Sequence, residues 1–221
     1  MKFTRNSGYE DFLLEGMWKA MEEPDRVQPS VTGMIHCLTK TFYENYYTTG
    51  GGKAPDRGTL LLFGTGLALE HVMLNDMQRT EGGIFEGIAY HMDHFGSETD
   101  FIEFKSTRLS TKSAPENYSL QWKRQWMAYA KVKGITSGRF VALHLMGNYA
   151  PPFPDLVAWD VECSAEEIDL NWQWMELRRD TYLEHVAAGE APEPFKYNED
   201  WECERCPWLM ICNERAKASA V

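Results

Sequence analysis

Three closely spaced cysteines near the end of the chain restrict its fold more than any other sequence feature. Cys203, Cys206 and Cys212 lie in WECERCPWLMIC with the spacing C-x2-C-x5-C, which supplies three of the four ligands of a complete metal or cluster site. The fourth ligand must then come from a distant part of the sequence. A zinc ion bound by these three cysteines and by His36 or Cys37 would satisfy this pattern, and so would an iron–sulfur cluster.

The cysteine count and the N-terminal residues indicate a reducing compartment. The chain has five cysteines, an odd number, and its start, MKFTRNSGYEDFLLEG, lacks the basic segment, apolar run and cleavage site of a secretory signal. We therefore expect a cytoplasmic protein whose cysteines bind a metal or cluster rather than form disulfides. The apolar stretch 59–69 is too short and too rich in glycine to span a bilayer, so we expect no membrane partner.

The charge distribution leaves a nucleic-acid partner open. At 221 residues the chain can bury one sizeable core, and its net charge of −11 would by itself argue against DNA binding. The charge is uneven, however, because residues 103–139 hold eight basic and two acidic side chains, whereas residues 155–204 hold fifteen acidic and three basic ones. The basic stretch is either a path for DNA or a solvated face, and charge alone does not decide between them.

Hydrophobic periodicity and capping residues predict a mixed α/β chain. Thr32 is expected to cap the first helix, Pro115 to lie in the first turn of the third, and Ser164 with Glu167 to form a capping box before the last. The predicted helices cover residues 32–47, 59–77 and 113–134, followed by one from Ser164 to about Ala188. The predicted strands cover residues 84–95, 99–107, 138–149 and 155–163, and loops are predicted at 48–58 and 150–154.

The predicted strand FIEFKST, residues 101–107, carries the strongest chemical signal. Alternate residues of a strand share a face, so Glu103 and Lys105 point the same way, and Phe104 points into the opposite layer. Asp93, on the preceding strand, can lie beside Glu103 across a short connection. Two carboxylates and the Phe104 carbonyl oxygen are ligands that Mg²⁺ or Mn²⁺ prefers, and Lys105 could then orient water and stabilise charge on a phosphate.

The flanking helices add residues that match a nuclease pattern. Taken alone, Glu103 and Lys105 would fit a surface salt bridge. His71 lies in the helix before the strands, and Gln125 and Tyr129 lie four apart, on one face of the helix after them. The order His, Asp, Glu-x-Lys, Gln-xxx-Tyr resembles the RecB-type branch of the PD-(D/E)XK nucleases.

That resemblance implies a fold and a set of roles. The implied fold is a restriction-endonuclease-like core, α-β-β-β-α-β, with a helical N-terminal part and a C-terminal iron–sulfur cluster region. The implied metal ligands are His71, Asp93 and Glu103, with Lys105 as the catalytic lysine and Gln125 and Tyr129 positioning substrate. Members of the branch commonly place a glycine a few residues before the histidine and an acid after it, whereas here Gly66 lies five residues before His71 and Glu70 precedes it.

Within this branch, the cysteines resemble those of the CRISPR-associated "Cas four" exonucleases and of AddB-type nuclease domains. These proteins hold a [4Fe-4S] cluster with one cysteine before the nuclease core and three after it. The ligands implied here are Cys37, Cys203, Cys206 and Cys212. Residues 1–221 would form a single domain in which the cluster joins residues 1–57 to residues 189–221 around a nuclease core of residues 58–188.

The function that the resemblance implies is a Mg²⁺- or Mn²⁺-dependent DNA exonuclease acting at single-stranded ends. Its role would lie in CRISPR adaptation or in phage or host recombination, with a CRISPR integrase or a helicase or recombination protein as partner. The sequence contains no ATP-binding motif, so any unwinding must come from such a partner. A catalytically weak DNA-binding accessory protein is the competing hypothesis, but Asp93, Glu103 and Lys105 are all present, which favours catalysis.

Overall fold

The computed structural model describes residues 7–21, 28–47, 57–73, 82–97, 100–109, 115–146, 154–194, 201–204 and 206–218. Its helices are α1 (Ser7–Met21), α2 (Val31–Ile35), α3 (Leu38–Tyr47), α4 (Arg57–Met73), α5 (Leu120–Lys133), α6 (Ala165–Ala188), α7 (Trp201–Glu204) and α8 (Leu209–Ala218). Its strands are β1 (Gly83–Phe85), β2 (Ile88–Tyr90), β3 (His94–Ser97), β4 (Asp100–Thr107), β5 (Ser137–His144) and β6 (Asp155–Glu162). The loops predicted at 48–58 and 150–154 lie largely outside the described residues.

The strands β3 to β6 form one sheet in the order β3-β4-β5-β6, and β1 pairs with β2 in a separate hairpin. β4 runs parallel to β5, with Ile102 opposite Arg139, while the pairs β3–β4 and β5–β6 are antiparallel. A parallel pair of consecutive strands needs a long crossover connection, and α5 lies in this one. The predicted mixed α/β class is therefore confirmed.

The four-stranded sheet separates two layers of helices. On one face, Phe101 of β4 packs against Trp126 of α5 with ring centroids 5.1 Å apart, next to a core that also includes α2 and α6. Ser106 of β4 has the opposite side-chain direction, and a Cβ atom at Gly66 of α4 would lie 3.2 Å from its Oγ. Among the described helices, none is long and apolar enough to cross a bilayer.

The helix predicted at 32–47 is wrong as a single element, because its backbone breaks at His36. His36 is extended, with φ −86° and ψ −176°, and α2 ends before it. The N-cap is also different from the prediction: Ser30, not Thr32, caps α2 by accepting a backbone N–H with its side chain at 3.1 Å. Cys37 thus lies in the short connection between α2 and α3.

The strand predicted at 84–95 is also wrong as a continuous element. Glu86 and Gly87 form a two-residue turn between β1 and β2, both with positive φ, 46° and 78°. Such turns match the right-handed twist of the strands they join. Trp172 of α6 donates a hydrogen bond to the Glu86 carboxylate at 2.5 Å, so the hairpin is tied to the helical layer.

Three of the four ends of α5 and α6 follow the sequence signals. α5 begins later than predicted, because Pro115 lies in a separate 3-10 turn (Pro115–Asn117) and Ser119 is the N-cap. α5 ends at Gly134 as predicted, where φ is 68°. The capping box of Ser164 and Glu167 is present at the start of α6.

Candidate active site and cysteine cluster

Asp93 lies at a bend directly before β3 rather than within a strand. Its Oδ2 atom accepts a hydrogen bond from the Phe104 backbone N–H at 3.0 Å, which holds the carboxylate against β4 beside Glu103. The N–H and C=O of one residue in a strand point to the same side. The Phe104 carbonyl oxygen therefore also faces Asp93, as a ligand role would require.

Glu103 is a fully buried acid, with 0% of its surface exposed. Lys105, on the same face of β4, forms an ion pair with its Oε1 atom. The other oxygen, Oε2, has no hydrogen-bond partner in the described part of the chain. A buried carboxylate oxygen without a partner is destabilising, and a cation in contact with it would satisfy it. Mg²⁺ commonly uses only one or two protein carboxylates, so Asp93 and Glu103 fit such an ion.

The pKa values of the pair reflect this burial. Burial, followed by the negative charge of Asp93, raises the pKa of Glu103 to about 8 against the opposing effect of Lys105. For Lys105, burial alone would lower the pKa, but the carboxylates of Glu103 and Asp93 outweigh it and hold the pKa above its ordinary value. Lys105 therefore keeps its positive charge at neutral pH, and a divalent cation would displace the proton from Glu103.

The raised pKa of Glu103 predicts how stability depends on pH without divalent metal. The unfolded chain releases this proton near pH 4.5, whereas the folded chain keeps it up to about pH 8. The contribution of Glu103 to the free energy of unfolding is therefore fully present below pH 4.5 and is lost as pH rises to 8, by on the order of 3–5 kcal/mol. Glu103→Gln removes this titrating group, so the free energy of unfolding of the variant should fall less between pH 5 and pH 8 than that of wild type.

Urea unfolding in chelator at pH 5, 6.5 and 8 measures this difference, because Glu103 is the acid that the substitution removes from the buried cluster. The free energy of unfolding of wild type should fall relative to that of Glu103→Gln as the pH rises. Added Mn²⁺ should restore this stability in wild type and not in the variant. Parallel pH profiles for the two proteins would show that Glu103 is not the buried acid described here.

α4 brings Glu70 to the charged cluster and leaves His71 exposed. After burial and Asp93, the Glu70 carboxylate also contributes to the raised pKa of Glu103, so the two acids interact. Gly66, one helical turn earlier and on the same face of α4, packs against β4. His71 as a metal ligand stays a prediction. The sequence pattern did not predict that Glu70 lies near the site. Its position four residues after Gly66, on the same face of α4, is the signal that could have indicated it.

Gln125 and Tyr129 are joined to each other and to the segment before Asp93. Gln125 Nε2 donates to the Tyr129 hydroxyl at 3.0 Å, and that hydroxyl donates to the His91 carbonyl oxygen at 2.7 Å. Tyr129 is buried and thus anchors the chain two residues before Asp93. A cleft of about 280 Å³ opens beside these residues. It is lined by Ser30, Val31, Thr32, Ala89, Tyr90, His91, Asp93, Gln125 and Tyr129.

Tyr129→Phe should weaken the site through Asp93. The change removes the donor to the His91 carbonyl oxygen from a partly buried hydrogen bond, at a cost of about 1 kcal/mol. We expect weaker Mn²⁺ binding, measured by calorimetry, together with slower DNA cleavage. Tyr182→Phe is a matched control, since Tyr182 is buried, accepts a hydrogen bond from Asn45 at 3.0 Å and does not line the cleft. Equal Mn²⁺ affinity in both variants would contradict the positioning role.

The structure brings Cys37 close to the three C-terminal cysteines. The Cys37 N–H donates to Glu202 of α7 at 3.0 Å, which places it next to Cys203. Burial, followed by the neighbouring thiols of Cys206 and Cys37, raises the pKa of Cys212, so these thiols lie within interaction range. None of these four cysteines forms a disulfide, and all are half-buried.

The four cysteines fit a thiolate-bound metal or cluster by their chemistry. Four thiols suit a [4Fe-4S] cluster or a zinc ion. Within the described ranges, no three His, Cys, Asp or Glu side chains already surround a common point. The thiols would therefore have to move closer together to bind a cluster. Burial, followed by the neighbouring thiols, raises the pKa of Cys212, and a cationic centre would offset both effects by stabilising the thiolates.

Comparison with solved structures supports the fold. The crystal structure of SSO0001 matches 92% of this chain and 95% of its own with a TM-score of 0.55 and 17% identity. A phage-related exonuclease from Haemophilus somnus 129PT matches 74% of this chain and 97% of its own, with a TM-score of 0.51 and 10% identity. No family profile and no curated protein matches the chain. At these identities, the likeness shows a shared fold.

Proposed function

We propose that this protein is a Mg²⁺- or Mn²⁺-dependent DNA exonuclease of the PD-(D/E)XK type that hydrolyses phosphodiester bonds at single-stranded ends. The observation that carries the proposal is the fully buried Glu103, which lies beside Asp93, has Lys105 as its counter-charge and leaves one oxygen without a partner. The similar fold of a phage-related exonuclease agrees with it.

The metal would be held by Asp93, Glu103 and the Phe104 carbonyl oxygen, with His71 or Glu70 as a further contact, and would polarise the phosphodiester and its attacking water. Lys105 contributes a positive charge that stabilises the negative charge developing on the phosphate. A charged lysine cannot accept a proton. Lys105 therefore stabilises negative charge and orients the reacting groups by donating hydrogen bonds, and it does not accept a proton.

The cleft beside Asp93 is large enough for one nucleotide at the end of a strand. Its volume of about 280 Å³ is at the small end of ligand pockets. The polar side chains that line it are mainly uncharged donors and acceptors, such as Ser30, Thr32 and Gln125. Such groups would contact a base or sugar, while the phosphate would lie at Asp93.

The cysteines are proposed to hold a structural [4Fe-4S] cluster rather than to act on DNA. Cys37 lies close to the C-terminal cysteines, and the fold likeness to SSO0001 extends over 92% of the chain. The cluster would join the two ends of the chain, as in the "Cas four" and AddB-type nucleases that the sequence resembles. The biological role that follows is DNA processing in CRISPR adaptation or in phage or host recombination, alongside an integrase or a helicase or recombination protein.

Digestion of end-labelled DNA tests the proposed activity. Single-stranded and blunt duplex substrates are incubated with anaerobically purified protein in Mg²⁺ or Mn²⁺, and iron and zinc are measured in the same sample. We expect nucleotides to be released faster from the single strand, and about four iron atoms per chain. Protein that binds DNA but leaves it intact in both metals would instead be the accessory protein.

A further inference from the structure

Glu202 is a buried carboxylate that the proposed cluster does not itself require as a ligand. It precedes Cys203 on α7, and its side chain is 6% exposed. Its Oε1 atom accepts the Cys37 N–H at 3.0 Å and lies 3.2 Å from His36 Nδ1. One oxygen atom thus contacts both residues of the α2–α3 connection, 165 positions away in sequence from Cys37.

Arg178 of α6 forms hydrogen bonds with backbone carbonyl groups in and next to the same connection. It is 8% exposed, and its guanidinium group donates to the carbonyl oxygens of Met34 and His36, both at 2.5 Å. The connection therefore has its His36 carbonyl group bound by α6 and its Cys37 N–H bound by α7. Hydrogen bonds to charged partners are the stronger ones in proteins, so the Cys37 backbone is held in one place without help from a metal.

α8 is attached to the body of the protein by different contacts. Trp208, between Cys206 and Cys212, packs on Tyr43 of α3 with ring centroids 5.2 Å apart. Arg215 donates to the carbonyl oxygens of Ala191 and Pro192 at 2.9 and 3.2 Å. Loss of Glu202 would therefore release Cys37 and Cys203 from each other without detaching α8.

We propose that Glu202 is the positioning residue of the cysteine site, holding Cys37 beside Cys203 before any cluster is present. This inference rests on the proposed thiolate site. Because the carboxylate lies next to two of its ligands, its negative charge would also oppose reduction of a bound cluster. Glu202 thus has a geometric effect through its hydrogen bond and an electrostatic effect through its charge, and two substitutions separate them.

The test compares Glu202→Ala and Glu202→Gln with Glu204→Ala, which removes an exposed acid from the same short helix. Iron loss to a chelator, followed by visible absorbance, should be about tenfold faster in Glu202→Ala than in wild type. Glu202→Gln keeps an acceptor for the Cys37 N–H, so it should retain iron but show a more positive reduction potential. Glu204→Ala should match wild type in both measurements.

Hydrogen exchange of a peptide containing Cys37, in protein freed of metal, provides the second measurement. The Cys37 amide should be protected in wild type and in Glu202→Gln, and exposed in Glu202→Ala. If wild type holds no iron but shows this protection, the proposed cluster is wrong and the positioning role of Glu202 stands. Wild-type iron retention and amide protection in Glu202→Ala would overturn the inference while leaving the cluster in place.

Discussion

Lys105→Ala is expected to reduce DNA cleavage about a hundred- to a thousandfold in saturating Mg²⁺ or Mn²⁺. Lys105 carries the positive charge nearest to the Glu103 carboxylate, and its raised pKa keeps it charged at neutral pH. An alanine leaves the metal ligands in place but removes this charge from the developing phosphate. Single-turnover release of labelled nucleotides measures the loss, and the brown colour expected from the proposed cluster should remain.

The same substitution has a separate effect on stability, which its control must account for. Removing Lys105 takes away the ion-pair partner of Glu103. In metal-free protein this costs about 3–5 kcal/mol once Glu103 is ionised above about pH 8, and less at lower pH, where Glu103 keeps its proton. Circular dichroism in saturating Mn²⁺ shows whether the variant is folded during the assay. Lys217→Ala removes an exposed lysine on α8 that pairs with Glu214, and it should cleave at the wild-type rate. Retained cleavage by folded Lys105→Ala in Mn²⁺ would contradict the site assignment.

Cys203→Ala is expected to yield colourless, poorly soluble protein with little bound iron. The residue is one of four proposed ligands, and its loss opens a site that joins two segments 166 residues apart. Closing so long a loop restricts the unfolded chain, so the free energy of unfolding should fall by about 4 kcal/mol or more. Iron content, visible absorbance and thermal unfolding measure the three effects.

Cys163→Ala is the matched control for that loss. Cys163 follows β6, its thiol lies 3.5 Å from Glu167, and burial raises its pKa to about 11. It is the one cysteine outside the proposed cluster, so its variant should keep both colour and iron. Equal loss of iron in the two variants, or wild type that contains zinc and no iron, would contradict the cluster.

Local sequence patterns were sufficient where a structural feature depends on neighbouring residues. The alternation of β4 correctly placed Glu103 and Lys105 on one face, because side-chain direction in a strand has a period of two. The capping box of Ser164 and Glu167 and the glycine at 134 marked real helix ends, because capping bonds span only a few residues. The spacing of Gln125 and Tyr129 likewise predicted their contact on α5.

Sequence patterns failed where distant segments determine the backbone. The break at His36 is held by Arg178 and Glu202, which lie more than 140 positions away, so no local signal marks it. Asp93 was expected on a strand, but its carboxylate takes the Phe104 N–H that a neighbouring strand would otherwise bind. Glu70 interacts with Glu103 only because α4 packs across β4.

Cleavage of end-labelled single-stranded DNA by wild type and Asp93→Asn, side by side, tests the central claim most directly. Both proteins are first freed of divalent metal and then given Mn²⁺, and Asp160→Asn serves as control because Asp160 is exposed on β6. We predict that wild type and Asp160→Asn release nucleotides only after Mn²⁺ is added, and that Asp93→Asn releases none. Cleavage by Asp93→Asn at the wild-type rate, or cleavage by wild type without metal, would contradict a metal-dependent nuclease site at Asp93, Glu103 and Lys105.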